Sequence, residues 1–352
     1  MQQHHTSVAS SSSSPSKILI PDLVSHCTFK LRNNRHRKQA TVECKRWLFR
    51  GGNLSQKKRD AFHGLKAGQL TAMCYPNAAY PQLRVCCDFM NWLFHLDNIS
   101  DDMNDRGTAS TGVDIMNTFW LPERHRPVTR VGKMAKDFWR RTILTGTPGM
   151  QQRFRETMDF FFQAVTQQAR DRQAGVVPDL ESYIMLRRDT SGCKPCWALI
   201  EYAYNLDIPD EVMEHPSILA LGEAANDLVT WSNDIFSYNV EQSKGDTHNM
   251  IVVVMQQEGL DLQSAVNFVG DLCQQSIDRF VAERADMPSW GPEIDRQVNI
   301  YVDGLADWIV GSLHWSFESE RYFGKNGLEI KKTRTVTLLP RRVESAPEAS
   351  QI

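Results

Sequence analysis

The sequence predicts an all-α fold, a single-domain helical bundle with a central cavity. Three observations predict it. Apolar residues recur at helical spacing along most of the chain, as in Met150, Phe154, Met158, Phe161, Val165 and Ala169. No stretch alternates apolar and polar residues between hairpin turns, so no sheet is expected. Two segments set oxygen-bearing side chains among apolar neighbours: DNISDDMND at 97–105 and WSNDIFSYNVEQSKGD at 231–246. In the second, Asn233, Ser237 and Glu241 stand four apart and share one helix face. Two such helices facing each other would enclose a pocket.

Taken in order, the chain opens with a Ser-rich stretch, 1–17, that lacks the apolar core of a secretory signal and reads as a disordered leader. The folded part begins at Ile18 to Asp22. Residues 35–50 are basic and helix-compatible, and Ser55 is a candidate N-cap for a helix to about Met73. Tyr75-Pro76-Asn77 breaks the chain, and Pro81 suits the first turn of an apolar helix over 81–104. The polar stretch with Gly107 and Gly112 reads as a loop. A helix through 150–169 follows. Asp179 starts another, which breaks at Thr190-Ser191-Gly192 and restarts with Trp197, Leu199 and Tyr202. Helix 218–243 carries the Asn/Ser/Glu stripe, and Gly245 to His248 form a loop. Two last helices carry Leu262 to Phe280 and Val298 to Leu313. About ten helices thus fill one domain over 18–325. The charged remainder, 326–352, is expected to be mobile.

Composition narrows the function. The 352 residues are 41% hydrophobic and 23% charged, ordinary for a globular protein. A net charge of −2 argues against nucleic-acid binding by bulk charge. No apolar run of eighteen residues exists, so no membrane span is expected. Eight cysteines without scaffold-like spacing read as reduced thiols, which suits a cytoplasmic protein.

The oxygen donors carry the chemistry. Amide, hydroxyl and carboxylate oxygens are hard ligands that suit Mg²⁺ better than a soft metal. The apolar neighbours of Asn233, Ser237 and Glu241 place the stripe inside the bundle, where polar groups need partners, and a metal satisfies all three. The competing reading is a plain polar helix face. Lys244, one turn beyond Glu241, suggests an anionic ligand. Asp97 follows the buried run of helix 81–104, so its carboxylate stands at the mouth of an apolar pocket with Phe94 one turn inward; Asp101 shares its face. An acidic helix end by itself is more often a solvated cap.

At these positions the chain resembles a family. Asp97-Asn98-x-x-Asp101 is similar to the aspartate-rich motif of class I terpene cyclases, and Asn233 through Glu241 matches that family's second metal motif in full. The resemblance extends to Arg187, forty-six residues before Asn233, to Lys244, and to the pair Arg321-Tyr322. It spans about residues 20–325 and is closest to fungal, basidiomycete-type sesquiterpene synthases. It implies a Mg²⁺-dependent enzyme, with three ions, that ionises farnesyl diphosphate, cyclises it and releases diphosphate. It implies Asp97, Asp101, Asn233, Ser237 and Glu241 as metal ligands. Arg187, Lys244, Arg321 and Tyr322 would donate hydrogen bonds to the diphosphate. Asn98 departs from the motif, and Asp101-Asp102-x-x-Asp105 fits as a second register. The earlier register is preferred because Asp97 adjoins the apolar run. Asp101 either binds metal or pairs with Arg321 on closure. Arg188 is the alternative to Arg187.

An allylic cation needs an apolar, aromatic cavity, where each desolvated ring face contributes up to ~2 kcal/mol. Phe89, Met90, Phe94 and Trp315 are the candidates, each weighed against ordinary packing. Loops near 102–112 and 243–250 would close over the site. Two alternatives stand beside the cyclase. A chain-elongating prenyl diphosphate synthase would carry two aspartate-rich motifs. A catalytically silent prenyl-phosphate-binding protein would keep the fold without turnover. Cys193-x-x-Cys196 reads as a helix restart, Cys86-Cys87 as packing, His95 as structural and His248 as a loop cap. A monomer or homodimer is expected.

Overall fold

The computed structural model describes residues 16–50, 54–100 and 105–341. Sixteen α-helical segments occur among the described residues, numbered in chain order. The N-terminal group is α1 (Leu23–His26), α2 (Arg37–Phe49), α3 (Gln56–Leu65), α4 (Ala67–Cys74) and α5 (Tyr80–Ser100). The middle comprises α6 (Asp105–Trp120), α7 (Arg130–Thr142), α8 (Pro148–Ala174), α9 (Leu180–Thr190) and α10 (Cys193–Tyr204). The last part holds α11 (Asp210–Met213), α12 (Pro216–Lys244), α13 (Met250–Glu258), α14 (Leu262–Ala285), α15 (Pro292–Glu318) and α16 (Gly327–Thr333). None of the described helices is long and apolar enough to cross a membrane.

Helix α12 is the axis. Pro216 sits in its first turn, where a missing N–H costs nothing, and Gly245 closes it in the left-handed region at φ 79°. It packs against α9, α10, α13, α14 and α15. Helix α5 lies across the cavity, backed by α2, α4, α7 and α10. A dense aromatic cluster fixes its outer side: Phe89 and Trp92 meet Phe138 of α7 with ring centroids 5.8 and 5.3 Å apart.

Three expectations are corrected. The stretch with Gly107 and Gly112 is helical, as α6. Thr108, Thr111, Ile115 and Phe119 recur on its buried face, and Gly112 sits where Phe162 of α8 approaches: a Cβ there would lie 3.1 Å from that ring. The helix begun at Ser55 breaks at Lys66, whose φ is 53°, so α3 and α4 are separate. The C-terminal stretch, expected to be mobile, is ordered through its described residues. Strand Thr335–Thr337 pairs antiparallel with Lys17–Leu19, with Ile18 opposite Val336. A three-residue strand whose partner lies over three hundred residues away has no local signature. Residues 1–15 and 342–352, where the leader and the tail end were expected, lie outside the described residues.

Candidate active site

The break between α9 and α10 falls at Ser191 and Gly192, with Gly192 at φ 71°. Leu93 of α5 is packed against it, so an added Cβ would sit 2.9 Å from Leu93 Cδ2. Glycine is therefore required at 192 twice over, by backbone conformation and by lack of space. Asn226 of α12 spans it: its Nδ2 donates to Arg188 O (2.8 Å) and its Oδ1 accepts from Ser191 Oγ (3.0 Å).

The break opens onto a cleft of two joined chambers. The outer one, about 240 Å³, is polar and is lined by Asp97, Asn98, Arg172, Arg187, Asn233, Asp234, Ser237, Glu241, Lys244, His248, Arg321 and Tyr322. The inner one, about 150 Å³, is walled by Met90, Leu93, Phe94, Phe161, Val229, Trp308 and Trp315, and by the break itself. Asp97, Phe161, Arg187, Thr190, Asn233, Arg321 and Tyr322 line both.

Each polar group in the outer chamber has a physical position. Arg187 donates through Nη2 to Asn233 Oδ1 (2.9 Å), and through Nη2 and Nε to Asp234 Oδ1 (2.9 and 3.1 Å). The other oxygen of Asp234 accepts from Tyr183 Oη (2.6 Å) and the Met250 N–H (3.1 Å). Burial by itself would lower the Arg187 pKa, but the Asp234 carboxylate holds it above the usual value. Asn233 Nδ2 donates to Tyr322 Oη at 2.6 Å. Arg321 pairs with Asp97 at 3.1 Å and lies over the Phe94 ring, 5.0 Å from its centroid.

Glu241 is half-buried, and desolvation, with Asp234 nearby, pushes its carboxyl up to about 7. Asn249 Nδ2 donates to it at 2.8 Å. Ser237 Oγ is buried one turn before Glu241 and points at its carboxyl, with no other partner. A buried hydroxyl, a carboxyl whose ionised form burial disfavours and an amide oxygen on one helix face form a set of hard donors that a divalent cation would satisfy.

The predicted residues distribute as follows. Asp97, Arg187, Asn233, Ser237, Glu241, Lys244, Arg321 and Tyr322 meet around the outer chamber. Met90, Phe94 and Trp315 line the inner one. Phe89 does not, which corrects its assignment as a cavity residue. On α5 the positions 90, 94 and 97 face the cleft, and Phe89 is turned about 100° away into the aromatic cluster with Trp92, Phe138 and Phe154. Asp101 and Asp102 lie outside the described residues. Arg188 turns away from the cleft: it forks onto the buried Asp227 at 2.7 and 2.8 Å. His95 is buried against Phe62.

Sequence reasoning missed Asp234, Tyr183, Asn249, Phe161 and Arg172 as parts of the site. Asp234 stands inside the second motif but off the Asn233/Ser237/Glu241 face, so only the packed structure brings it to Arg187. His248 is more than a loop cap: its ring lies 5.0 Å from Tyr183, and burial, then Arg187 and Arg172, lower its pKa to about 3, so it is neutral.

Residues 88–279 match the family described as terpene synthase family 2, C-terminal metal binding. Sesquiterpene synthase 2 of Postia placenta is 75% identical over 337 residues, covering 96% of this chain and 99% of that protein. A sesquiterpene synthase of Cyclocybe aegerita is 69% identical, covering 95% and 96%. The α-muurolene synthase of Coprinopsis cinerea is 56% identical, covering 93% and 79%. Among solved structures, germacradien-4-ol synthase of Streptomyces citricolor superposes with a TM-score of 0.73 at 24% identity, covering 82% of this chain and 96% of that one. That likeness shows the shared all-α fold. A metal-binding family, a cleft lined by hard oxygen donors and guanidinium groups, and close fungal relatives converge: the chain belongs to the class I terpene synthases, among the fungal sesquiterpene synthases.

Proposed function

We propose that this chain ionises farnesyl diphosphate with the help of Mg²⁺ and cyclises the resulting allylic cation to a sesquiterpene. The observation that carries the reading is the two-chamber cleft. A polar chamber suited to a diphosphate opens into an apolar chamber suited to a prenyl chain, and Asp97, Arg187, Asn233, Arg321 and Tyr322 form the boundary. The scissile C–O bond belongs at that boundary.

Asp97 would hold metal on one wall, and Asn233, Ser237 and Glu241 on the other. The family resemblance implies three Mg²⁺ ions and adds Asp101 to the ligands. Held by these residues, the metal would supply positive charge that neutralises the leaving diphosphate as the C–O bond breaks. Lys244, Arg187, Arg321 and Tyr322 donate hydrogen bonds to its oxygens, and guanidinium forks suit that geometry. In the structure Arg187 occupies the Asn233 oxygen at 2.9 Å and Arg321 occupies Asp97 at 3.1 Å. An arriving diphosphate draws both guanidiniums onto itself and so releases oxygen donors for metal. Substrate and metal thus promote each other's binding. In the inner chamber Phe94, Phe161, Trp308 and Trp315 present aromatic surface to the cation and exclude water. The eight buried cysteines, none in a disulfide, support a cytoplasmic setting.

The test is incubation with farnesyl diphosphate, with and without Mg²⁺, and mass spectrometry of the volatiles. A cyclic C15 product that disappears without metal is expected, and replacing Asn233 and Glu241 together should abolish it while helicity is kept. Near-normal turnover by that double variant would overturn the metal assignment. A longer prenyl diphosphate formed with isopentenyl diphosphate, and no volatile, would turn the reading to chain elongation.

A further inference from the structure

A second feature lies on the opposite side of α5 from the cleft and plays no part in the chemistry above. Between Leu121 and Thr145 the chain holds seven Arg and Lys residues against two acids, in a protein whose net charge is −2. Helix α7 turns Val131, Ala135, Phe138 and Trp139 into the core and its cations outward. Arg126, Lys133, Lys136 and Arg140 border an open trough of about 710 Å³ that ends at Leu144.

The acids cancel only the Arg140 and Arg141 end of this charge. Asp137 accepts from Trp47 Nε1 (2.7 Å) and pairs with Arg141 (2.9 Å), which the buried Asp88 also engages at 2.7 Å, so Arg141 is spent and Arg124, Arg126, Arg130, Lys133 and Lys136 carry the face. Glu123 reaches Arg140 only at 3.7 Å. Arg126 and Lys136 donate to backbone carbonyls of Glu123 (3.1 Å) and His125 (2.6 Å), which orients their side chains and leaves their charge intact. A second observation is independent of charge. Val128 and Leu144 are 79% and 80% exposed, the most exposed large aliphatic side chains among the described residues, and they stand at the two ends of α7. A thirteen-residue helix separates them by roughly 20 Å.

We propose that this face docks the enzyme onto an anionic membrane surface. Cations attract acidic lipid headgroups, and two projecting aliphatic tips flanking them reach the acyl boundary. A nucleic acid would leave those tips unused, and none of the residues lining the trough is an aromatic ring on which bases could stack. Because the apolar stripe of α7 is committed to the core, the protein binds as a rigid body and the attachment is peripheral and salt-sensitive. The inference is independent of the proposed reaction.

The test is co-sedimentation of the full chain with vesicles of phosphatidylcholine alone, or of phosphatidylcholine with about a third phosphatidylserine. Binding is expected only to the anionic vesicles, with release at about 1 M salt, where screening extends only ~3 Å. Each cation lost should lower partition about fivefold, the equivalent of ~1 kcal/mol, so Arg126→Gln/Lys133→Gln should weaken it roughly twenty-five-fold. Val128→Ser/Leu144→Ser should weaken it severalfold at every salt concentration. Turnover in solution should be unchanged in both double variants, which also reports that they are folded. Equal sedimentation with neutral vesicles, none with anionic vesicles, or wild-type binding by both variants would overturn the proposal. So would binding to heparin or single-stranded RNA without sedimentation on vesicles.

Discussion

Replacing Glu241 by Gln should stabilise the metal-free protein at pH 8 and abolish its response to Mg²⁺. In the structure the carboxyl titrates near 7 instead of 4.5, because burial disfavours the ionised form. Its folded-state pKa is raised, so the folded form holds the proton more tightly than the unfolded chain. The associated stability is present below 4.5 and is lost as pH rises through 7. At ~1.4 kcal/mol per tenfold change, the ionised group costs about 3 kcal/mol, reduced to roughly 1.5–3 by its partial access to water. Glutamine keeps the acceptor for Asn249 Nδ2 and carries no charge. Urea unfolding in a chelator at pH 4.5 and pH 8 measures this: equal stability is expected at the lower pH, and a more stable variant at the higher. Mg²⁺ should then stabilise the wild type alone. A variant less stable than wild type at pH 8 without metal would refute the reasoning, because Glu241 would then be a satisfied structural group and not a ligand held in waiting.

Three further outcomes follow from named contacts. Arg187→Ala removes the cation of the buried Asp234, so unfolding free energy should fall by about 3–5 kcal/mol, and denaturant melts should precede any kinetic reading of that variant. Wild-type stability would mean that Asp234 is better solvated than its position indicates. Asn226→Ala frees Arg188 O and Ser191 Oγ at the helix break; a stability loss of about 1–3 kcal/mol and a broader product mixture are expected by chromatography, and an unchanged product profile would exclude a positioning role. Asn239→Leu cuts the two hydrogen bonds that tie the C-terminal strand to the back of α12, from Nδ2 to Thr337 O (3.1 Å) and from Leu339 N to Oδ1 (2.7 Å). The Mg²⁺ concentration for half-maximal turnover should rise severalfold, whereas an unaltered requirement would show that this strap does not steady the ligand stripe.

Much of the site is legible in the chain because it is written in helical spacing. Asn233, Ser237 and Glu241 share a face by their four-residue interval, and the residue that must break the helix, Gly192, stands in plain view. The misreadings have a common cause. Glycines at 107 and 112 resemble loop residues until Phe162 of α8 is seen to need the space beside Gly112. The charged stretch after Lys325 resembles a tail until Lys17–Leu19, at the other end of the chain, is seen to pair with it.

The sequence by itself determined the helical class, the register of the Asn/Ser/Glu stripe and the place of the break, all properties of residues within a few turns of one another. Only the tertiary structure decided which faces meet. Arg187 and Arg188 are adjacent and equally basic, yet one enters the cleft and the other clasps Asp227. Phe89 and Met90 are adjacent and equally apolar, yet one packs against α7 and the other lines the cavity. A helix of 3.6 residues per turn fixes the angle between neighbours, but the direction of the cavity is set by the helices that pack around it.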